Sequence, residues 1–251
     1  MDLAGHVITN EPAFSTTAAT GTRTFNLLNG TKLTVIDSSE AGTGGITTTA
    51  RIFRVNTGTT LNIEGGNFSC TTEGNNLVFW NTGTIVVSGG TFSQTPNSYL
   101  AAGYASTLVD GMYVVSDAHV TVTTLDELKT NIAAGNSIRL GADIDYTVGA
   151  GVTFPVGKMA LDLNGFSITV NNANPTDRMF ALTANKTAVT NLTIRDSSAK
   201  KTGAIINQSS PANNGANIFR INQNGTGGDA ILNIEGGNFI CKTASCGTVV
   251  P

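Results

Sequence analysis

One eight-residue phrase occurs twice in this chain, letter for letter: Leu61-Asn62-Ile63-Glu64-Gly65-Gly66-Asn67-Phe68 and Leu232-Asn233-Ile234-Glu235-Gly236-Gly237-Asn238-Phe239. Around it lie looser copies. Arg51-Ile52-Phe53-Arg54-Val55-Asn56 returns as Asn217-Ile218-Phe219-Arg220-Ile221-Asn222, and Asp37-Ser38-Ser39 as Asp196-Ser197-Ser198. Asp2-Leu3-Ala4-Gly5 returns as Asp162-Leu163-Asn164-Gly165. The spacing between copies is not constant, so the second carries small insertions. A repeat constrains architecture more strongly than any local motif, because each copy must fold into the same supersecondary unit. It also bears on function, since residues present in both copies are the ones the scaffold needs.

A shorter rhythm runs inside each copy. Leu33-Thr34-Val35, Leu61-Asn62-Ile63 and Ile85-Val86-Val87 recur at intervals in the twenties, and so do Phe25, Phe53 and Phe79. Short alternating strands at such a period, each followed by Gly, Asn or Ser, predict stacked parallel rungs. Alternation sends Leu61, Ile63, Ile85 and Val87 inward and Asn62, Glu64, Val86 and Ser88 outward. Gly65-Gly66-Asn67-Phe68, Gly89-Gly90-Thr91-Phe92 and Gly236-Gly237-Asn238-Phe239 share one corner pattern. Adjacent glycines are expected to supply positive φ there, and the following Phe to turn inward onto the Phe of a neighbouring rung. Asp37-Ser38-Ser39 and Asp196-Ser197-Ser198 read as corners in which a side chain bonds a backbone N–H two residues on.

Thr124 to Ala134 breaks the rhythm. Leu125, Leu128 and Ile132 share one helical face, Thr124 with Glu127 forms a capping box, and Gly135 follows as a stop. This predicts a short helix near residues 124–134, covering the first rung of a second module. Tyr99 to Val115 reads as the closing turn of the first module. The expected division is 1–118 and 119–251. Met1 aligns with Leu161 in mid-strand, so the chain is expected to be an excerpt of something longer. Module one is then expected to lack its lid helix, and module two to stop at Pro251 before its closing segment. A natural start would instead favour a virion protein exported without a leader.

Composition agrees with an all-β reading. Charged residues are only 12% and aromatics 6%, yet 40% of the chain is hydrophobic, enough to fill an interior. Threonine, asparagine and 29 glycines supply exposed strand faces and turns. The net charge of −3 comes with no basic stretch, which speaks against a nucleic-acid partner. No apolar run approaches the ~18 residues of a membrane span. Cys70 and Cys241 hold equivalent positions and Cys246 is near enough to Cys241 to close a small loop, but the spacing makes neither a zinc site nor a disulfide framework. Small buried residues are the expected role.

Several segments together carry a family likeness. They are Leu125-Asp126-Glu127-Leu128, Ser137-Ile138-Arg139-Leu140-Gly141-Ala142-Asp143-Ile144 and Leu161-Asp162-Leu163-Asn164-Gly165-Phe166-Ser167-Ile168. Leu192-Thr193-Ile194-Arg195-Asp196-Ser197-Ser198, Ile231 to Phe239 and Tyr99-Leu100-Ala101-Ala102-Gly103-Tyr104 extend it over most of the chain. The chain resembles the modules of large repetitive surface proteins of gut bacteria, which also occur in phage appendages. The resemblance implies a right-handed parallel β-helix of pectate-lyase-like shape. These are scaffold motifs, specific for fold and nearly silent on activity.

An enzyme of this fold would need two carboxylates ~5–10 Å apart, or a base beside Arg, Lys or calcium. The acids expected on outward strand faces are Glu64, Glu235, Asp162 and Asp196, near Arg54, Arg220 and Arg195. Glu64 and Glu235 are copies of each other, as are Arg54 and Arg220, which argues for a scaffold role. Asp2, Asp110, Asp117, Asp143, Asp145, Asp177 and Asp229 are scattered. Asp143 and Asp145 alternate and could hold calcium, although two solvated strand-end residues account for them as well. His6 and His119 stand in unrelated contexts, against a His-rich metal site or a Ser-His-Asp arrangement. Thr57-Gly58-Thr59-Thr60 and Thr82-Gly83-Thr84 suggest a hydroxyl ladder that could meet sugars or order water, while their glycines suggest a turn.

The sequence therefore leads to a non-catalytic extracellular or cell-surface repeat protein, a rigid stalk or adhesin, with no catalytic, cofactor or metal residues assigned. Its expected partners are glycans or host-surface components, with self-association or end-to-end stacking also open. The alternatives are a virion fibre or decoration protein of the same fold, and a polysaccharide lyase or glycoside hydrolase.

Overall fold

Apolar and polar residues alternate along short segments bounded by Gly, Asn and Asp, and each such segment is a strand. The computed structural model describes residues 1–11, 23–28, 30–71, 78–146, 152–171, 179–184, 189–208, 217–223, 230–242 and 247–250. Asp177, Asp229, Cys246 and Pro251 lie outside the described residues. The fold is mostly β, with several parallel sheets and one α-helix among those residues. The chain divides into two compact units, Met1–Ala118 and His119–Pro251.

Unit one begins with β1 (Val7–Asn10), β2 (Arg23–Leu27), β3 (Lys32–Val35) and β4 (Gly45–Thr48). It continues with β5 (Arg51–Val55), β6 (Thr60–Ile63), β7 (Asn67–Cys70) and β8 (Phe79–Asn81). β9 (Thr84–Val87), β10 (Thr91–Phe92), β11 (Tyr104–Val109) and β12 (Met112–Asp117) complete it. From β1 to β10, each strand pairs in parallel with the one three places later: β1-β4-β7-β10, β2-β5-β8 and β3-β6-β9. The register stacks like on like. Leu33 pairs Leu61 and then Ile85, Val35 pairs Ile63 and then Val87, and Phe25 pairs Phe53 and then Phe79.

These columns are the core. Val35, Ile46, Ile52, Phe53, Leu61, Ile63, Phe68, Val87 and Phe92 are fully buried, each worth roughly 1.5–3 kcal/mol of apolar transfer. Phe25 stacks on Phe53 with ring centroids 5.6 Å apart, and Phe68 stacks on Phe92 at 5.2 Å. The Phe of the Gly-Gly corner thus turns inward and meets its counterpart in the neighbouring repeat. The two glycines before it differ in role. Gly66 has φ 107°, but Gly65 is not in the left-handed region; a Cβ there would approach the Asp37 amide nitrogen to 3.2 Å. The first glycine admits a neighbouring backbone and the second makes the bend.

Within the segment Tyr99–Val115, Leu100 still bridges Val87 in parallel, and the departure from the parallel pattern follows it. β11 and β12 form an antiparallel hairpin, and β12 pairs antiparallel with β10. The cause is local: Asp110 and Gly111 both have positive φ, 48° and 80°, the two-residue turn whose twist suits a hairpin. The Asp-Gly pair carried that signal in the sequence.

Unit two opens with β13 (Val120–Val122), α1 (Leu125–Ala133), β14 (Ile138–Leu140) and β15 (Ile144–Tyr146). Then come β16 (Val152–Phe154), β17 (Gly157–Asp162), β18 (Ser167–Val170), β19 (Phe180–Ala184) and β20 (Thr190–Arg195). β21 (Ala204–Asn207), β22 (Asn217–Gln223), β23 (Ala230–Ile234), β24 (Asn238–Cys241) and β25 (Gly247–Val250) follow. Three parallel sheets result: β13-β14-β17-β20-β23, β15-β18-β21-β24 and β16-β19-β22-β25. The helix has the expected capping box, in which Thr124 Oγ1 accepts from Glu127 N (3.2 Å) and Glu127 Oε2 from Thr124 N (3.1 Å). Leu128 and Ile132 are fully buried in the core of unit two, with Leu125 packed beside them, and α1 lies against β13 to β16.

The duplicated phrase meets two environments. In unit one Ile63 is covered by Val87 of β9 and is 0% exposed. In unit two no described strand follows β23 in its sheet, and Ile234 is 51% exposed. Ile63→Asn is expected to cost about 2–4 kcal/mol and Ile234→Asn less than about 1 kcal/mol, read by urea unfolding of the two variants. Equal losses would contradict the burial difference.

Candidate functional site

The acids and arginines singled out by sequence fall into three groups. Glu64 and Glu235 are exposed at the ends of β6 and β23, each donating its backbone N–H to the preceding strand (Val35 O and Ile194 O). Asp162 and Asp196 do not face solvent, contrary to their expected outward placement. They are 0% and 4% exposed. The alternation argument failed because both residues sit where a strand ends and the chain turns, where inside and outside no longer follow the strand period.

Their geometry explains why they are duplicated. Asp196 Oδ1 accepts from Gly165 N (2.9 Å) and Ser198 N (3.1 Å), and Oδ2 accepts from Gly203 N (2.7 Å). Asp37 makes the same three bonds in unit one, with Gly5 N (2.9 Å), Ser39 N (3.2 Å) and Gly44 N (2.7 Å). The other aspartate of each corner reaches the opposite way. Asp162 Oδ1 accepts from Asn164 N (3.1 Å) and Ser197 N (2.9 Å), and Asp2 Oδ1 from Ala4 N (3.0 Å) and Ser38 N (3.0 Å). Asn67 and Asn238, from the Gly-Gly-Asn-Phe corners, close the arrangement by donating Nδ2 to Gly44 O and Gly203 O, both at 3.1 Å. Gly203 leaves no room for a side chain: a Cβ would lie 2.6 Å from Leu163 Cβ and 2.9 Å from Asp196 Cγ.

Electrostatics follow from these bonds. Burial pushes the Asp196 pKa up, but hydrogen bonds from Ser198, Gly203 and Gly165 outweigh it and hold the carboxyl below its usual range. The same balance lowers Asp37, where the donors are Gly5, Ser39 and Gly44. Asp2 is lowered chiefly by Ser38. For Asp162, burial is outweighed by Ser197, Arg139 and Arg195. A carboxylate of low basicity whose lone pairs accept backbone N–H bonds is a poor proton carrier near neutral pH. These four acids serve the chain's own corners.

Unit two adds a charged row that unit one lacks. Arg139, Asp162 and Arg195 are in register on β14, β17 and β20. Asp162 Oδ2 lies 3.1 Å from Arg139 Nε and 3.5 Å from Arg195 Nε. Arg195 Nη2 in turn donates to His119 Nε2 at 3.2 Å, so His119 lies against an arginine here and His6 is exposed elsewhere. In unit one the partner of Asp2 is Ile36, and no such row forms.

Asp143 is exposed and accepts from Ser167 N (2.7 Å) and Ser167 Oγ (2.9 Å), while Asp145 is an exposed residue of β15. Asp143 therefore caps the neighbouring strand. Among the described residues no group of three or more His, Cys, Asp or Glu side chains is placed to hold a metal ion. Among the described residues the threonine ladder reduces to one contact, Thr57 Oγ1 to Thr82 Oγ1 at 3.3 Å, with Thr60 beside Thr84. Thr59 is buried and bonds Asn56 O, and Gly58 has φ 77°, so this is a turn and not a flat face. Cys70 is a buried thiol donating to Ala50 O at 3.1 Å, whereas Cys241 is disulfide-bonded.

Arg54 has the neighbour that the sequence reading missed. It is in register with Trp80 of β8, and its guanidinium carbon lies 4.7 Å from the indole centroid. Arg51 comes to 4.4 Å from the same ring. Each contact is worth about 0.5–1 kcal/mol at a surface. The signal was there in the rung interval: Trp80 follows Phe79 as Arg54 follows Phe53, so a rhythm that stacks the two phenylalanines also sets Arg54 beside Trp80. Arg220, the copy of Arg54, instead pairs with Ala181 and Val250. No described helix is long and apolar enough to cross a membrane. Comparison with family models, curated proteins and solved structures gave no match.

The corner acids generate a pH dependence. A carboxyl whose folded pKa lies below its unfolded value contributes stability above the unfolded value, and that contribution is lost as pH falls through the folded one. The melting temperature is therefore expected to hold steady above roughly pH 5 and to decline below about pH 4, the ordinary Asp value. Asp196→Asn should cost about 1–3 kcal/mol at pH 7 by setting an amide N–H against the Gly203 N–H. Thermal unfolding from pH 2 to 7 checks both; a variant as stable as wild type at pH 7 would contradict the clasp.

Proposed function

We propose that the chain is a non-catalytic repeat protein of the extracellular space or cell surface, built as tandem right-handed parallel β-helix modules and acting as a rigid stalk or adhesin that contacts glycans. The observation that carries this reading is the pair of matching corners: Asp2 and Asp37, like their counterparts Asp162 and Asp196, accept backbone hydrogen bonds. A repeated active site would keep its acids accessible and of tuned basicity. Pairing of each strand with the one three places later is what successive rungs of a β-helix produce, and the strong preference of parallel crossovers for the right hand favours that sense. The helix α1 serves in this reading as a lid over the first rung of module two, covering an apolar end that a stack otherwise exposes. The disulfide-bonded Cys241 supports an oxidising compartment. The resemblance to repetitive surface modules of gut bacteria points the same way.

Incubating the full chain with a panel of polysaccharides, and measuring new reducing ends and unsaturated uronates, tests the catalytic part. No products are expected. Cleavage abolished by Glu64→Gln or Glu235→Gln would overturn the reading in favour of a carbohydrate-active enzyme. Immobilised glycans probed with the full chain test the adhesive part, and retention of one glycan class above the others is the expected result.

A further inference from the structure

The six-stranded sheet of unit one ends on β11, which pairs with β12 on one side and with no described strand on the other. Such an edge offers unpaired backbone groups to any strand that fits it. Which groups it offers follows from one bond. Val115 of β12 donates its N–H to Gly90 O (2.9 Å), so Val115 is turned toward β10 and away from β11. The bonding direction alternates along a strand, so Met112, Val114 and Ser116 are the residues of β12 that bond β11. Their opposite numbers are Val109, Thr107 and Ala105. Ser106 and Leu108, which lie between those three, therefore point N–H and C=O out of the sheet edge. Tyr104 shares their direction, but its N–H is taken by Ala101 O (3.2 Å). Nothing along Ala105–Val109 discourages pairing: it holds no charge and no proline, the usual protections of an edge strand. Leu108 and Val109 are 59% and 47% exposed, on opposite faces of β11.

We propose that β11 is a self-association surface, on which two copies of this chain pair antiparallel about a twofold axis at Thr107. The edge is complementary to itself in that register. Ser106 of one copy lies opposite Leu108 of the other, and the two exchange both N–H···O bonds. The twofold axis repeats the exchange on its far side, so every outward N–H and C=O of Ser106 and Leu108 is paired. On the outer face Thr107 meets its own copy, with Val109 beside Ala105 to either side, pairs that suit adjacent strands. Charge agrees with the arrangement. Each Asp110 falls opposite Tyr104 of the other copy, and the two carboxylates stand at opposite ends of the pair. Five residues a side is small beside the ~20–30 of a standard interface, so the pairing is reversible, with dissociation expected at ~10–1000 µM. β1, at the other edge of the same sheet, has four residues, and joining it to β11 would build an open chain of copies in place of a closed pair. This surface goes beyond the adhesive reading and stands whether or not glycans bind.

Sedimentation velocity of the full chain from ~5 to ~500 µM tests the surface, and a monomer passing reversibly to a dimer is the expected result. Thr107→Lys sets like charges opposite each other at the axis and is expected to weaken the dimer about tenfold or more. Ser106→Pro removes an outward N–H without taking a bond from β12, and the same weakening is expected. Thr130→Lys, the same change at an exposed position of α1, leaves association unchanged. Thermal melts at dilute, monomeric concentration are expected to match wild type and guard against misfolding. The two Thr107 residues form a non-hydrogen-bonded pair with Cα atoms about 4.5 Å apart, within disulfide reach. Mild oxidation of Thr107→Cys is therefore expected to give a covalent dimer that the wild-type chain does not form. A chain monomeric at every concentration overturns the proposal, and so does association that neither Thr107→Lys nor Ser106→Pro weakens. A dimer without the Thr107→Cys cross-link overturns the register, and growth beyond the dimer overturns the closed pair in favour of pairing through β1.

Discussion

Parallel pairing of a strand with the strand three places later, from β1 to β10 and from β14 to β25, is the constraint on which both units depend. In-register parallel strands set the same side of the pleat against the same side of the next, so an inward residue always meets an inward residue. Leu33, Leu61 and Ile85 form one such column, and Val152, Phe180 and Phe219 form another on the pairings of unit two. The columns bury apolar area, but they also require that each strand meet its parallel partner three places on in the same register. The corners decide whether it does.

Those corners are built from polar groups rather than apolar ones. Asp37 and Asp196 each gather three backbone N–H groups from two stretches of chain more than thirty residues apart, as in Gly5 with Asp37 and Gly165 with Asp196. A backbone N–H at a turn has no strand partner, and a carboxylate beside it supplies one. The corner therefore satisfies the groups that the turn leaves unpaired and fixes the register of the strands leaving it. Selection on the corner accounts for Asp, Asn and Gly recurring between copies while the intervening loops vary in length.

What recurs and what does not then have different meanings. The repeated acids and the repeated phenylalanines hold the repeat together. Among the described residues, two charged groupings are confined to one unit: the Arg139–Asp162–Arg195 row with His119 in unit two, and the Arg51–Trp80–Arg54 cluster in unit one. The first has a buried carboxylate at its centre and is inward-looking. The second sets the guanidinium groups of Arg51 and Arg54 against a half-buried indole.

By itself the sequence determined the strand positions, the inward and outward residues along them, the capped helix at Thr124 and the recurrence of the corners. All of these are local patterns with a period of two residues, a helical face or a fixed turn chemistry. It also carried, unread, the Asp110-Gly111 hairpin. Only the tertiary structure decided which acids face solvent. Asp162 and Asp196 look like outward strand residues until the turn after each strand rotates them onto amides from distant parts of the chain. Likewise Ile63 and Ile234 share the same neighbours in sequence, and their burial differs because β9 covers the first while no described strand covers the second. Arg54 and Trp80 are brought side by side by pairing between β5 and β8, which the interval from Phe53 to Phe79 anticipated, but that two guanidinium groups reach one indole is decided only in the folded chain. Long-range pairing sets those outcomes, since exposure and charge contacts belong to the neighbour across the sheet rather than to the neighbour along the chain.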